Sequence, residues 1–176
     1  QNRLIEDLLD VARLISGKLE LDRENVDLVE SVSDSIEIAN PVAKPKKLHI
    51  QFENGGGHPI VFGDRNRLRQ VFSNLITNAI KFSHEGGDIN VSVSEIDGEA
   101  VVKFRDFGVG ISQEFLPLVF ERFRQDTSVE KRNGGLGLGL AIVRNLVEMH
   151  GGSVSVQSEG PESGAEFTVW LPTVQS

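Results

Sequence analysis

The chain has 176 residues, 39% of them hydrophobic, with ten Phe and one Trp, enough apolar material for one ordinary folded domain. A net charge of −8 argues against nucleic-acid binding, which needs a basic surface, and the lack of cysteine excludes disulfides, thiolate zinc sites and thiol catalysis. No apolar run is long enough to cross a bilayer and Gln1 opens no signal peptide, so the sequence reads as a soluble piece of something longer that makes no membrane contact of its own.

In chain order, Gln1 to Ser16 reads as a helix with a seam of Leu4, Leu8, Val11 and Ile15, a coiled-coil stripe little over one heptad long. A short alternating strand is expected around Leu19 and Leu21, then a polar turn. A helix follows from about Asp27 to Ala43, with Leu28, Val32, Ile36 and Ala39 on one face, ending near Pro41 and Pro45. "KLHIQFE" alternates as a strand, "NGGGHP" is a turn and "IVF" a short buried strand. A long helix from about Asp64 to Phe82 carries Leu68, Val71, Phe72, Leu75, Ile76 and Ala79 on its apolar face. "INVSVSEI" and "AVVKFRD" form a hairpin turning at Asp97-Gly98. Phe107 to Asn133 offers little beyond one short helix around Glu114 to Phe120. A glycine-opened helix and a last antiparallel pair, "GSVSVQSE" and "AEFTVWLP", complete the chain. Strands and helices mix without strict alternation, which implies an α/β (α+β) two-layer sandwich: a mixed, largely antiparallel sheet against about three helices.

Three features carry chemistry. Glycines crowd the stretch "NGGLGLGLAIV", and each costs stability inside a helix. Ahead of a helix N-terminus they suit either a flexible tether or a cradle for a phosphate-bearing ligand. Asn74, Asn78 and Lys81 share one helix face, open between a solvated stripe and a set with a hard amide oxygen for magnesium and a cation for phosphate. "DFGVG" at Asp106 to Gly110 fits a tight turn, or a carboxylate reading an exocyclic amine while the glycines let a flat base approach the backbone.

In this order the motifs resemble the catalytic ATP-binding domain of sensor histidine kinases, in the gyrase, heat-shock-90 and MutL ATPase superfamily. "NLITNAIKF" resembles its N box, "DFGVGI" its first glycine box, "FERF" its F box, "GGLGLGLAIV" its second glycine box and "GAEFTVWLP" its last. The resemblance covers roughly Leu19 to Pro172 and implies a Bergerat-type fold. It implies ATP and Mg2+ as cofactors and a cytoplasmic location. The amino-terminal "LIEDLLDVARLISGKLEL" resembles the second helix of the dimerisation and histidine-phosphotransfer domain, so residues 1–17 are expected to close that domain and 18–176 to form the catalytic one. Expected partners are ATP and ADP, the histidine-bearing dimerisation helix and a response-regulator receiver domain.

The resemblance also implies roles. Asn78 matches the magnesium ligand, Asn74 a phosphate or metal-shell contact, Lys81 a phosphate contact and Phe82 an aromatic stacked on adenine. Asp106 matches the carboxylate that reads the adenine amine, with Gly108, Gly110 and Ile111 shaping that pocket. Phe120 belongs to the F box, and Arg122 or Arg124 beside it either reaches the transferred phosphate or is a solvated lid residue. Gly135, Leu136, Gly137, Leu138, Gly139 and Leu140 match the triphosphate loop and helix start, and Ser112 to Gly134 the lid. Asn74 stands where hydrolytic relatives carry a water-activating glutamate. Leu136 stands where Thr is frequent, and Ala165 and Glu166 where a small hydroxyl residue is usual. His49, His58, His84 and His150 occupy no acceptor context.

Overall fold

The computed structural model describes residues 2–126 and 136–175. Helix α1 (Asn2–Ile15) leads into strand β1 (Glu24–Asp27) and helix α2 (Leu28–Ala43), which ends in a 3₁₀ turn at Lys44–Lys46. Strands β2 (His49–Asn54) and β3 (Ile60–Gly63) precede helix α3 (Arg65–Phe82). The hairpin β4 (Asp88–Ile96) and β5 (Glu99–Asp106), helix α4 (Gly139–Met149), and strands β6 (Ser153–Gln157) and β7 (Ala165–Pro172) follow.

A five-stranded sheet has the order β2-β4-β5-β7-β6, parallel between β2 and β4 and antiparallel elsewhere. Because strand side chains alternate, register decides which residues face the helices. Val91, Phe104 and Phe167 align on the inner face, as do Val93, Val102 and Val169. All six are buried, and Phe72 of α3 stacks on Phe104 with ring centroids 6.1 Å apart. The apolar faces of α2, α3 and α4 close this core from one side. The expected two-layer sandwich on about three helices is what the chain forms.

Aspartates cap two of these helices. The Asp27 side chain accepts from the Val29 and Glu30 amides, and that of Asp64 from the Asn66 and Arg67 amides. Such caps satisfy first-turn donors that have no partner inside the helix. The hairpin turns at Asp97 and Gly98, both left-handed at φ 52° and 79°, the geometry that follows the strands' twist.

Three local expectations need correction. No strand forms around Leu19 and Leu21; the strand lies at Glu24–Asp27, within the stretch read as a polar turn, because β3 supplies a partner that buries Val26 completely. Helix α2 ends at Ala43, as expected, with Pro41 inside its last turn. Pro41 and Glu37 are both exposed, so the carbonyl that loses its amide partner lies on the wet side while Ala43 still buries. "IVF" is an edge strand with Phe62 54% exposed, and the helix expected around Glu114 to Phe120 is one 3₁₀ turn at Leu116–Leu118. The seam of α1 is mostly unburied: Val11 enters the core, whereas Leu4, Leu8 and Ile15 remain exposed.

Candidate nucleotide site

The carboxyl-terminal half of α3, the end of β5, the start of α4 and the inner face of β7 enclose a cavity of about 460 Å³. That volume lies within the range of small-molecule sites. Asn74, Thr77, Asn78, Lys81 and Phe82 line it from α3, and Asp106, Gly110 and Ile111 from the end of β5 and the loop beyond it. Leu136, Gly137, Leu138, Gly139 and Leu140 line it at the start of α4, with Arg124 nearby.

Asp106 is 2% exposed, and its Oδ1 accepts the Gly108 amide at 3.0 Å. Burial pushes its carboxyl pKa up, while hydrogen bonds from the Gly108 and Ala165 amides and the positive groups of Arg105 and His84 oppose that rise. A buried acceptor aimed at a cavity fits a ligand that donates a hydrogen bond. Around the rim Lys81 is half-buried, with its ammonium 5.4 Å from the Phe82 ring centroid, and burial lowers its pKa. A phosphate beside it would favour the charged form.

Helix α4 starts at Leu138 without a side-chain cap from any described residue. Leu138, Gly139 and Leu140 line the cavity, so the helix start with its first-turn amides and partial positive charge borders it, an arrangement suited to an anion. Asn74, only 8% exposed, donates from Nδ2 to the Gly139 carbonyl at 3.2 Å and so ties α3 to the start of α4. This rules out a solvated stripe for Asn74.

The glycines answer to protein backbone first. A Cβ on Gly108 would stand 1.8 Å from the Phe82 carbonyl oxygen, which accepts the Val109 amide. The expectation that Gly108 admits a flat base is therefore corrected: it admits the end of α3, and it does not line the cavity. Gly137 is left-handed at φ 69°, and a Cβ there would press on the Arg124 backbone. Its carbonyl accepts the Phe123 amide, so the F-box segment is stacked on the glycine loop.

Phe120 also stands behind the cavity, packed edge-on against Phe167, which lines it. Gly135 lies outside the described residues, as does the lid from 127 to 134. Within the described part of the lid, Phe115, Val119, Arg124, Gln125 and Asp126 reach the cavity, and Arg122 does not line it. Sequence reasoning missed Phe167, which the alternation of β7 places on the inner face two residues from Ala165. It also missed Leu4 and Asp7 of α1, which line the same cavity and carry no local signal of it. Among the described residues no group of three His, Cys, Asp or Glu side chains could hold a metal alone. Asn78, whose amide lines the same cavity as the start of α4, offers a hard oxygen of the kind that fits magnesium, which keeps waters and takes substrate phosphates as ligands.

Among the described residues no helix is long and apolar enough to cross a membrane. The family profile "Histidine kinase-, DNA gyrase B-, and HSP90-like ATPase" matches residues 63–175. The chain is 36% identical over 207 residues to hybrid signal transduction histidine kinase D of Dictyostelium discoideum, a match covering 99% of this chain and 13% of that protein. It is 33% identical over 172 residues to the circadian input-output histidine kinase CikA of Synechococcus elongatus, covering 96% of this chain and 23% of that one. The crystal structure of full-length ShkA in complex with AMPPNP superposes with a TM-score of 0.87 at 33% identity, over 99% of this chain and 36% of that chain. The chain thus spans less than a quarter of the two curated relatives. With the buried carboxylate, the start of α4 and the α3 polar face gathered on one cavity, the chain belongs to the histidine kinase-, DNA gyrase B- and HSP90-like ATPase family, as an ATP-binding catalytic domain of the histidine-kinase type.

Proposed function

We propose that this domain binds Mg-ATP and delivers the γ-phosphoryl group to a histidine on a separate dimerisation helix, from which a response-regulator receiver domain takes it. Residues 1–17 are read as the end of that helical domain and 18–176 as the catalytic domain, acting in the cytoplasm. The observation that carries the reading is the convergence of Asp106, Lys81 and the open start of α4 on one 460 Å³ cavity. An adenine amine would sit on Asp106 and the phosphates at Lys81 and Gly137–Leu140, all of which line that cavity.

Phosphoryl transfer needs positioning and charge neutralisation more than covalent work by the protein. Asp106 orients the base and Phe82 offers it an apolar face. Lys81 and the α4 amides hold the β- and γ-phosphates, and Arg124, which pairs with Glu121 at 3.2 Å, is the arginine among the described residues that lines the cavity. Asn78 is the protein group that would hold magnesium, which when bound neutralises charge on the phosphate oxygens. The acceptor imidazole nitrogen bonds to the γ-phosphorus as the bond to the β,γ-bridging oxygen breaks, and ADP leaves. Asn74 cannot act as a general base on water, which favours transfer over hydrolysis. The bound nucleotide in ShkA and the signal-transduction names of the relatives support this reading.

Calorimetry with ATP, with and without magnesium, followed by incubation with labelled ATP, tests it. The chain is expected to bind ATP with magnesium dependence, and neither to label itself nor to hydrolyse ATP appreciably. Absence of binding would overturn the assignment. Acid-labile self-labelling would place an acceptor at His49, His58, His84 or His150.

A further inference from the structure

Helix α3 brings Asn78, Lys81 and Phe82 to the cavity near its carboxyl-terminal end, and that end is held from outside the helix. An α-helix leaves its final carbonyls without amide partners. Here four consecutive ones are taken by groups from other parts of the chain. The Lys46 ammonium donates to the carbonyls of Ile80 at 2.8 Å, Lys81 at 3.2 Å and Ser83 at 2.8 Å. The carbonyl among them that Lys46 leaves, that of Phe82, accepts the Val109 amide at 3.0 Å.

The local sequence fixes Lys46 for this task. Pro45 stands inside the 3₁₀ turn Lys44–Lys46, and Lys47 is left-handed at φ 55°, so the chain reverses just after Lys46. The Lys46 carbonyl accepts the Gly86 amide at 2.9 Å, which pins its backbone against the loop that leaves α3. An ammonium has three N–H donors and no acceptor, and three carbonyls converge on this one. Lys46 is half-buried, and no carboxylate pairs with it among the described residues. A cation is favoured at the carboxyl end of a helix dipole, and its bonds to the carbonyls are of the charge-assisted, stronger kind.

Lys46 stands behind the cavity wall and does not line the cavity. Lys81 and Phe82 do line it, and theirs are two of the four carbonyls held from behind. The Phe82–Val109 bond also joins this turn to the loop between Asp106 and Gly110, which lines the base end of the cavity. Gly108 fits against the Phe82 carbonyl with no room for a Cβ, so the loop and the helix end have little freedom to slide. A shift of the last turn of α3 therefore moves the Lys81 side chain and the Asp106 loop together.

We infer that Lys46 is a positioning residue of the nucleotide site: by closing the end of α3 it sets where Lys81 meets phosphate and where Phe82 meets the base. This rests on the nucleotide reading of the site. Lys46 touches no ligand and acts through the backbone carbonyls of the helix end. A binding side chain is only as well placed as the contacts that support it, and Lys46 supplies three of them.

The test combines ATP titration of the intact chain in magnesium, well below its melting temperature, with amide proton–nitrogen NMR spectra of the nucleotide-free chain. Lys46→Met keeps much of the side chain's shape without its charge and donors. It is expected to weaken ATP binding on the order of 5-fold and to shift the Lys81, Phe82, Ser83 and Val109 amides. Lys46→Arg, which keeps a cation and N–H donors, should recover most of the affinity. Lys81→Met should cost less in the Lys46→Met background than in wild type, because both act on one contact. Val26→Ala opens space in the core under β1, away from the cavity lining, so it should lower the melting temperature and leave ATP affinity unchanged. ATP affinity of Lys46→Met within about 2-fold of wild type overturns the proposal. So does a loss that Lys46→Arg does not recover, an undiminished cost of Lys81→Met, or an equal loss in Val26→Ala. Should Lys46→Met not fold, Lys46→Gln is read against the same limits. Failure of the nucleotide reading looks different: the wild-type chain binds no ATP, and the amide shifts of Lys46→Met then report a helix cap alone.

Discussion

Replacing Asp106 by asparagine separates what the buried carboxylate does for the ligand from what it does for the fold. At 2% exposure it accepts the Gly108 amide at 3.0 Å, and an asparagine oxygen can keep that bond. The remaining corner, however, changes from an acceptor to an NH2 donor facing the adenine amine. Losing a hydrogen bond to a charged group costs about 1.5–3 kcal/mol, which is about a 10- to 150-fold loss of ATP affinity. The effect on the free protein runs the other way. Because burial raises the folded pKa above the ordinary carboxylate value, the folded chain holds its proton at a pH where the unfolded chain has released it. Stability therefore declines as pH rises from the unfolded toward the folded pKa, and the ionised form of Asp106 is a cost to the fold. The variant without nucleotide should melt at the same temperature as wild type or above it. GTP, whose base offers an oxygen at the corresponding position, should lose far less affinity than ATP. Thermal-shift and calorimetric titrations with both nucleotides check this. The reasoning is refuted if ATP affinity falls less than 3-fold, or if the nucleotide-free melting point drops by several degrees, since about 1 kcal/mol moves a domain of this size by about 2–4 °C.

Two further perturbations probe other parts of the account. Asn78→Ala should weaken ATP binding in magnesium by about tenfold or more and leave binding in EDTA nearly unchanged, because the amide is read as a metal ligand; equal losses in calorimetry under both conditions would make it a packing residue. His150 is 5% exposed, its Nδ1–H donates to the Leu146 carbonyl at 2.6 Å and its Nε2 accepts the Asp64 amide at 3.0 Å, so the fold requires the neutral ring. Burial, with Arg23 nearby, holds its pKa below the ordinary histidine value despite Asp64 and the Leu146 carbonyl. Its contribution should be complete above the unfolded pKa of about 6.5 and fade as pH falls through the folded one. Melting curves from pH 7.5 to 5 should fall less steeply for His150→Gln than for wild type, and parallel curves would contradict this.

Legibility in the sequence followed the range of the forces involved. The apolar face of α3 and the Asp97-Gly98 turn are set by residues within one or two helical turns or one hairpin, and both were readable. The motif order brought Asn74, Asn78, Lys81, Asp106 and the glycine loop to one place, and thirteen of the sixteen expected site residues line the cavity. What escaped depends on contacts remote in sequence. Strand β1 exists because β3 pairs with "ENVD", a stretch without alternation of its own. Gly108 looked like a ligand-facing glycine, yet its space is taken by the Phe82 carbonyl, a contact with α3 that no spacing rule reveals. The docking of α1 rests on Asp10 meeting Arg67 and Gln70 more than fifty residues away, so Leu4 and Asp7 gave no local sign of a place at the cavity.

The most direct test of the central claim is a crystal structure of this chain with AMPPNP and magnesium. The account predicts the adenine amine within hydrogen-bonding distance of Asp106, the phosphates at the start of α4 beside Lys81, and a magnesium ion on Asn78. Nucleotide bound elsewhere, or bound here with the base turned away from Asp106, would contradict it.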